Sequence, residues 1–140
     1  MKCLYLTADR IGQGSGGGSV TFHERRALER FCGPTNVVTL SAEELGQSDD
    51  PFSLDARALV RIRDVGPAFD LAHLYAGCFS KTVKALKSLG TTVTYTAAAH
   101  DREKCIAEFK ALGIEFPFRH LLEPEVWLEY LRGYTLADRV

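Results

Sequence analysis

Polar and apolar positions along this chain fall into short apolar runs that alternate with longer stretches of helical period. Cys3 to Thr7 is a compact apolar run that leads into Asp9 and a glycine cluster. Val20, Ala27, Leu28 and Phe31 then recur at helical spacing, and Thr21-x-x-Glu24 offers that helix a capping box. Gly33-Pro34 breaks it. Asn36 to Leu40, rich in β-branched residues, predicts a second strand. Ser41 to Pro51 is polar and acidic, a surface loop with helical tendency. Ser53 to Ile62 predicts a helix with Leu54, Ala58 and Ile62 on its apolar face.

The same alternation continues in the second half. Phe69 to Leu74 predicts a third strand, and Phe79 to Leu89 a helix with Val83, Leu86 and Leu89 inward, ended by Gly90. Thr92 to Thr96 predicts a fourth strand. Asp101 offers an N-cap for a helix through Leu112 that Gly113 closes. Pro124 suits the first position of a last helix, Glu123 to Tyr134, with Val126, Trp127, Tyr130 and Leu131 inward. Strands that alternate with helices make βαβ units and a parallel sheet. The fold class expected is therefore α/β, a Rossmann-like doubly wound parallel sheet in one domain over 1–140.

Composition narrows the function classes. The 140 residues are 46% apolar and 25% charged, an ordinary globular balance that excludes intrinsic disorder. Seventeen basic residues against 18 acidic ones give a net charge of −1, so no broad basic field is available for nucleic acid. No uncharged stretch approaches the roughly 20 residues that cross a bilayer. Cys3, Cys32, Cys78 and Cys105 include no close pair of the kind a zinc site uses, so no metal is expected, and they read as reduced thiols of a cytoplasmic protein.

The candidate chemistry begins with Gly12-Gln13-Gly14-Ser15-Gly16-Gly17-Gly18-Ser19, between the first strand and first helix. In a parallel sheet that loop lies at the ligand crevice, and the amides of a helix start suit an anion. Gly12-x-Gly14-x-x-Gly17 fits the dinucleotide fingerprint literally, but its first glycine comes five residues after Thr7 and no acidic residue ends the second strand. A phosphate-binding P-loop would need lysine at position 18, which is Gly18. What remains is a loop closing over a phosphorylated or sugar ligand, or a plain flexible surface loop. Asp9, just past the first strand, either binds an acceptor hydroxyl or caps the loop. His73, inside a strand, has the ordinary role of a satisfied core histidine.

Several of these segments together resemble the N-terminal half of the family-4 glycosyltransferases, whose GT-B fold has two facing Rossmann-like domains. Gly16-Gly17-Gly18-Ser19-Val20 resembles that family's Gly-Gly loop and helix start. Asp70-Leu71-Ala72-His73-Leu74-Tyr75 is similar to its third strand, with Tyr75 where the pattern has a second histidine. Val93-Thr94-Tyr95-Thr96, followed by His100-Asp101, resembles its fourth strand. Leu136-Ala137-Asp138-Arg139-Val140 resembles the opening of a further strand.

The resemblance implies the acceptor-side domain of a retaining, metal-independent glycosyltransferase that needs no cofactor beyond its nucleotide-sugar substrate. His100 would contact the transferring sugar as the catalytic residue; Asp9, Gly16, Gly17, Gly18 and Tyr75 would bind substrate. The partners implied are a nucleotide-sugar donor, a sugar, lipid or other hydroxyl acceptor, and a second Rossmann-like domain that follows Val140. A cytoplasmic location with peripheral contact at the inner face of a membrane fits such acceptors. The alternative is a stand-alone nucleotide- or phosphate-binding α/β module without catalysis.

Overall fold

The structure, a computed structural model, describes all residues except 13, 15, 47–49, 67, 98–101 and 116–122. Its strands are β1 (Cys3–Thr7), β2 (Val37–Leu40), β3 (Leu71–Tyr75) and β4 (Thr92–Thr96). Its helices are α1 (Gly16–Cys32), α2 (Ala42–Leu45), α3 (Pro51–Val65), α4 (Ser80–Ser88), α5 (Arg102–Ala111) and α6 (Pro124–Leu136). The strands form one all-parallel sheet in the order β2-β1-β3-β4. Parallel neighbours need crossover connections, and the helices supply them. The chain steps outward from β1 to β2, then returns past β1 to β3. The order therefore reverses between β1 and β3, the switch point at which doubly wound sheets open a crevice beyond their carboxyl ends. The α/β doubly wound class is the observed one.

Alternation along the strands sorts the sheet into two unlike faces. Leu4, Leu6, Leu40, Ala72, Leu74, Val93 and Tyr95 face Leu54, Ala58 and Ile62 of α3 and Val83 and Leu86 of α4, and form the main core. The opposite face carries Tyr5, Thr7, His73, Tyr75, Thr94 and Thr96, and α1 lies over it. Sheet register lines up Tyr5, His73 and Thr94 in one row and Thr7, Tyr75 and Thr96 in the next. Beyond β4, Arg139 makes a parallel bridge to Thr94, and its carbonyl accepts the Tyr95 amide at 2.9 Å. Among the described residues no helix is long and apolar enough to cross a membrane.

Element positions agree with the periodic reading to within a few residues, but several side-chain faces do not. Thr21 and Glu24 are not a capping box, because α1 begins at Gly16 and both lie inside it. The buried positions of α1 are Gly18, Thr21 and Cys32, with Leu28 packed beside Tyr5. Val20 and Phe31 instead lie outside, Phe31 with 76% of its surface exposed. The two stripes differ by one residue, about 100° around a helix. Polar groups on the sheet face select the stripe carrying Thr21 and Glu24. Leu89 is exposed rather than inward, since it ends α4 ahead of Gly90, whose φ of +83° turns the chain. Leu131 also faces outward on α6.

Helix α4 has no side-chain cap of its own at Phe79. A neighbour supplies one. The buried Asp55 carboxylate of α3 accepts the amides of Lys81 (3.0 Å) and Thr82 (2.9 Å) and the Thr82 hydroxyl (2.6 Å). Asp55→Ala strands these donors in the core and is expected to cost about 2–4 kcal/mol. Asp55→Asn, which keeps an acceptor oxygen, should recover part of that. Urea denaturation with an unchanged m-value checks both.

Candidate functional site

Two loops face each other across the switch point. On one side Asp9 leaves β1 with its backbone held at both ends: its amide donates to Thr7 Oγ1 (3.0 Å) and its carbonyl accepts from the Ala42 amide (3.3 Å). Gly16, Gly17 and Gly18 form the first turn of α1. A Cβ at Gly17 would lie 2.6 Å from Asp9 Oδ2, so the Asp9 carboxylate rests against the start of the helix. Helix starts carry unpaired amides and partial positive charge, and α1 has no acidic residue in its own first turn. Asp9 supplies the missing negative charge. The Thr21 hydroxyl reaches the carbonyls of Arg10 (3.1 Å) and Gly18 (3.0 Å), and the Gly12 amide donates to the Gly18 carbonyl (3.2 Å). These bonds tie Arg10 and Gly12 to the first turns of α1.

The other side is Tyr75-Ala76-Gly77-Cys78, between β3 and α4. Ala76 has a φ of +52° and Gly77 one of +91°. A Cβ at Gly77 would sit 2.9 Å from that of Ala8 and 2.5 Å from the Phe79 ring, so only glycine lets the two loops approach. The Tyr95 hydroxyl, donating to the Gly77 carbonyl (2.6 Å) with the Ala76 carbonyl at 3.2 Å, holds the turn. Tyr75 is buried with Tyr5 and Ala76 and packs against Ile11 and Leu28. Burial, and then the carboxylates of Asp9 and Glu24, push its phenol upward. Tyr75 is thus core packing beside the β1–α1 loop.

A second polar constellation lies just beneath, between α1 and the sheet. The Tyr5 hydroxyl donates to Glu24 Oε2 at 2.9 Å. His73 Nε2 lies 3.5 Å from Glu24 Oε1 and 3.3 Å from Thr96 Oγ1, while Nδ1 meets Thr94 Oγ1 at 2.8 Å. The Tyr5 and His73 rings stack with centroids 5.9 Å apart. Burial works to raise the Glu24 carboxyl, but hydrogen bonds from His73, Thr96 and Tyr5 outweigh it and hold the group below its ordinary value. Both nitrogens of His73 are engaged, as expected of a satisfied core histidine. Glu24 escapes a sequence reading that assigns it to a cap. Its signal was the alternation of polar residues on two neighbouring strands, which calls for polar groups on the covering helix.

The carboxyl end of β1 thus brings together Asp9, Gly16, Gly17 and Gly18, with Tyr75 packed in the core beside Ile11. His100 lies outside the described residues. Asp70 sits at the opposite end of the sheet, where its carboxylate accepts the Lys2 amide at 2.7 Å. Cys78 is buried and pushed up to about 12, first by burial and then by the charges of Glu129 and Asp55, which excludes it as a thiolate nucleophile near neutral pH. Among the described residues no three histidine, cysteine or acidic side chains cluster as metal ligands.

The lowered Glu24 value ties stability to pH. The folded chain holds this proton less tightly than the unfolded chain, so unfolding takes up a proton as the pH falls. The stabilisation is therefore complete above the unfolded carboxyl range, about pH 4–5, and is lost as the pH drops through the folded value. Glu24→Gln is expected to cost about 1.5–3 kcal/mol at pH 7. The gap between variant and parent should narrow toward pH 3, as read from denaturant midpoints across the pH range.

Comparison with protein families, with curated proteins and with solved structures gives no match for this chain.

Proposed function

We propose that this chain is the acceptor-side domain of a retaining glycosyltransferase and that its crevice holds a hydroxyl-rich acceptor. The observation that carries the acceptor reading is the Asp9 carboxylate against Gly17 at the start of α1. A free helix start attracts phosphate; one already faced by a carboxylate repels it. A sugar or polyol suits this combination. Its hydroxyls donate to the carboxylate and accept from backbone amides, and no second negative charge is brought in. The fixed Asp9 backbone and the Gly77 contact with the β1–α1 loop favour a preformed site, which lowers the entropic cost of orienting an acceptor.

In this reading the nucleotide-sugar donor is held chiefly by a second Rossmann-like domain, and transfer takes place in the cleft between the two. The contribution of this domain is to aim one acceptor hydroxyl at the sugar carbon from which the diphosphate departs. His100 keeps the role that the resemblance implies, contact with the transferring sugar. This chain alone binds acceptor and does not turn over donor.

A second reading, a non-catalytic module binding a nucleotide or phosphate, is favoured by the strand order. β2-β1-β3-β4, with Arg139 in the next position, is the start of the order 2-1-3-4-5 found in compact doubly wound domains that bind a phosphorylated cofactor at the β1/β3 switch. Exposed Arg10, beside Asp9, would then face the ligand.

Ligand-observed NMR on the chain, with a panel of mono- and disaccharides, inorganic phosphate and nucleotides, separates the two. The expected result is saturable binding of a saccharide that falls at least about fivefold in Asp9→Asn and in Gly17→Ala, which displaces the carboxylate. Binding of phosphate or nucleotide that improves when Asp9 is neutralised would move the assignment to the second reading.

A further inference from the structure

Helices α4 and α6 pack side by side on the apolar face of the sheet, and a groove of about 390 Å³ runs between them on their outer side. Leu128, Leu131 and Leu136 of α6 line it, exposed by 52%, 40% and 38%. Leucines at i, i+3 and i+8 form a row about 12 Å long on a helix rising 1.5 Å per residue. Lys81 and Lys84 of α4, one turn apart, flank that row. Neither lysine forms an ion pair among the described residues. The groove is built rather than loose. Buried Glu129 accepts from the Ser80 hydroxyl and from Arg132 Nη1 at 3.0 Å, which joins the two helices at its base and offsets the charge of Arg132. Glu125 is exposed one turn before Leu128, and Asp138 is taken by Lys87. The charged residues that line the groove are Lys81, Lys84 and Arg132, of which only Arg132 is paired, so the uncompensated charge of its lining is positive in a chain whose net charge is −1.

We propose that this groove docks an acidic amphipathic helix from a protein partner. Its leucine-type side chains would seat along Leu128, Leu131 and Leu136, and its carboxylates would meet Lys81 and Lys84. A helix places apolar anchors at i, i+3, i+4 and i+7 and acidic residues on the adjoining flank, which matches one apolar row beside one cationic row. The leucine row lies in an open groove between two helices, a shape that accepts the ridge of a third. The surface lies on the helices over the main core, away from the carboxyl-end crevice, so the proposal stands independently of the acceptor reading.

The test uses the whole chain and three probes: a fluorescently labelled leucine–glutamate amphipathic peptide, its leucine–lysine counterpart, and phosphatidylglycerol vesicles. Fluorescence anisotropy is expected to show saturable binding of the acidic peptide and at least about tenfold weaker binding of the basic one. Lys81→Glu with Lys84→Glu should invert that preference, and Leu131→Ser should weaken the acidic peptide several-fold. Lys81 and Lys84 are exposed, so their variants should leave the melting temperature nearly unchanged, and Leu131→Ser is read well below its own transition; Lys84→Glu alone serves if the double variant melts early. Equal binding of both peptides, no saturation up to about 1 mM, or an acidic-peptide affinity unchanged in the variants would overturn the proposal. So would co-sedimentation with vesicles that depends on Lys81 and Lys84 while the peptide fails to bind, which would assign the face to a membrane.

Discussion

The placement of α1 over the sheet depends on one carboxylate. Glu24 faces a sheet surface that is not a hydrocarbon plane but a row of Tyr5, His73 and Thr94 with Thr96 beyond. A buried charge without partners would cost several kcal/mol, so this helix can dock only where the carboxylate finds donors. It finds Tyr5 on β1, His73 on β3 and Thr96 on β4. Three strands thereby converge on one helix position. Hydrophobic contact by itself would leave α1 free to roll by a residue; the polar match removes that freedom. The cost is visible on the outside, where Phe31 and Val20 are left in water.

With the rotation of α1 settled, its first turn is placed as well. Gly16, Gly17 and Gly18 are carried to the carboxyl end of β1, and Thr21, one turn later, ties the preceding loop back through Arg10. The glycines of this turn do different work from those of a flexible lid. Gly17 is bare because the Asp9 carboxylate occupies the space a side chain would need. Gly77, on the opposite loop, is bare because Ala8 and Phe79 fill its surroundings. Both glycines serve close approach. The result is a carboxylate set against the start of α1 at the carboxyl end of β1.

The two sides of the sheet differ in kind. Under α3 and α4 the packing is mostly aliphatic, from Leu4 and Leu6 to Val83 and Leu86, with Phe69, Phe79 and Tyr95 among them. Even there, a buried charge sets register, since Asp55 joins α3 to the first turn of α4. Helix α6 joins this layer through Tyr134, whose ring meets that of Tyr95 edge to face at 4.8 Å. That contact and the Cys78–Val126–Tyr130 cluster fix which side of α6 is inward and leave Leu128, Leu131 and Leu136 along an open groove.

The sequence by itself determined the class of fold, because period-2 and period-3.6 patterns are local properties and turn residues such as Gly33-Pro34 and Gly90 mark their ends. Strand β4 and the limits of α4 and α6 were legible on those grounds to within two residues. It also put Asp9 and the glycine turn at the carboxyl end of β1, since the loop from a parallel strand to its helix begins there. Tertiary structure alone decided which stripe of α1 turned inward: of the apolar residues Val20, Ala27, Leu28 and Phe31 only Leu28 packs beside Tyr5, while the polar sheet face takes Glu24. It decided in the same way that Leu131 would face a groove, that Asp55 would cap a helix other than its own, and that the Asp9 carboxylate would stand against Gly17. For Glu24 and Asp55 the deciding contacts join residues far apart in the chain and draw their energy from satisfying a carboxylate removed from water, and no local pattern encodes where that partner will be.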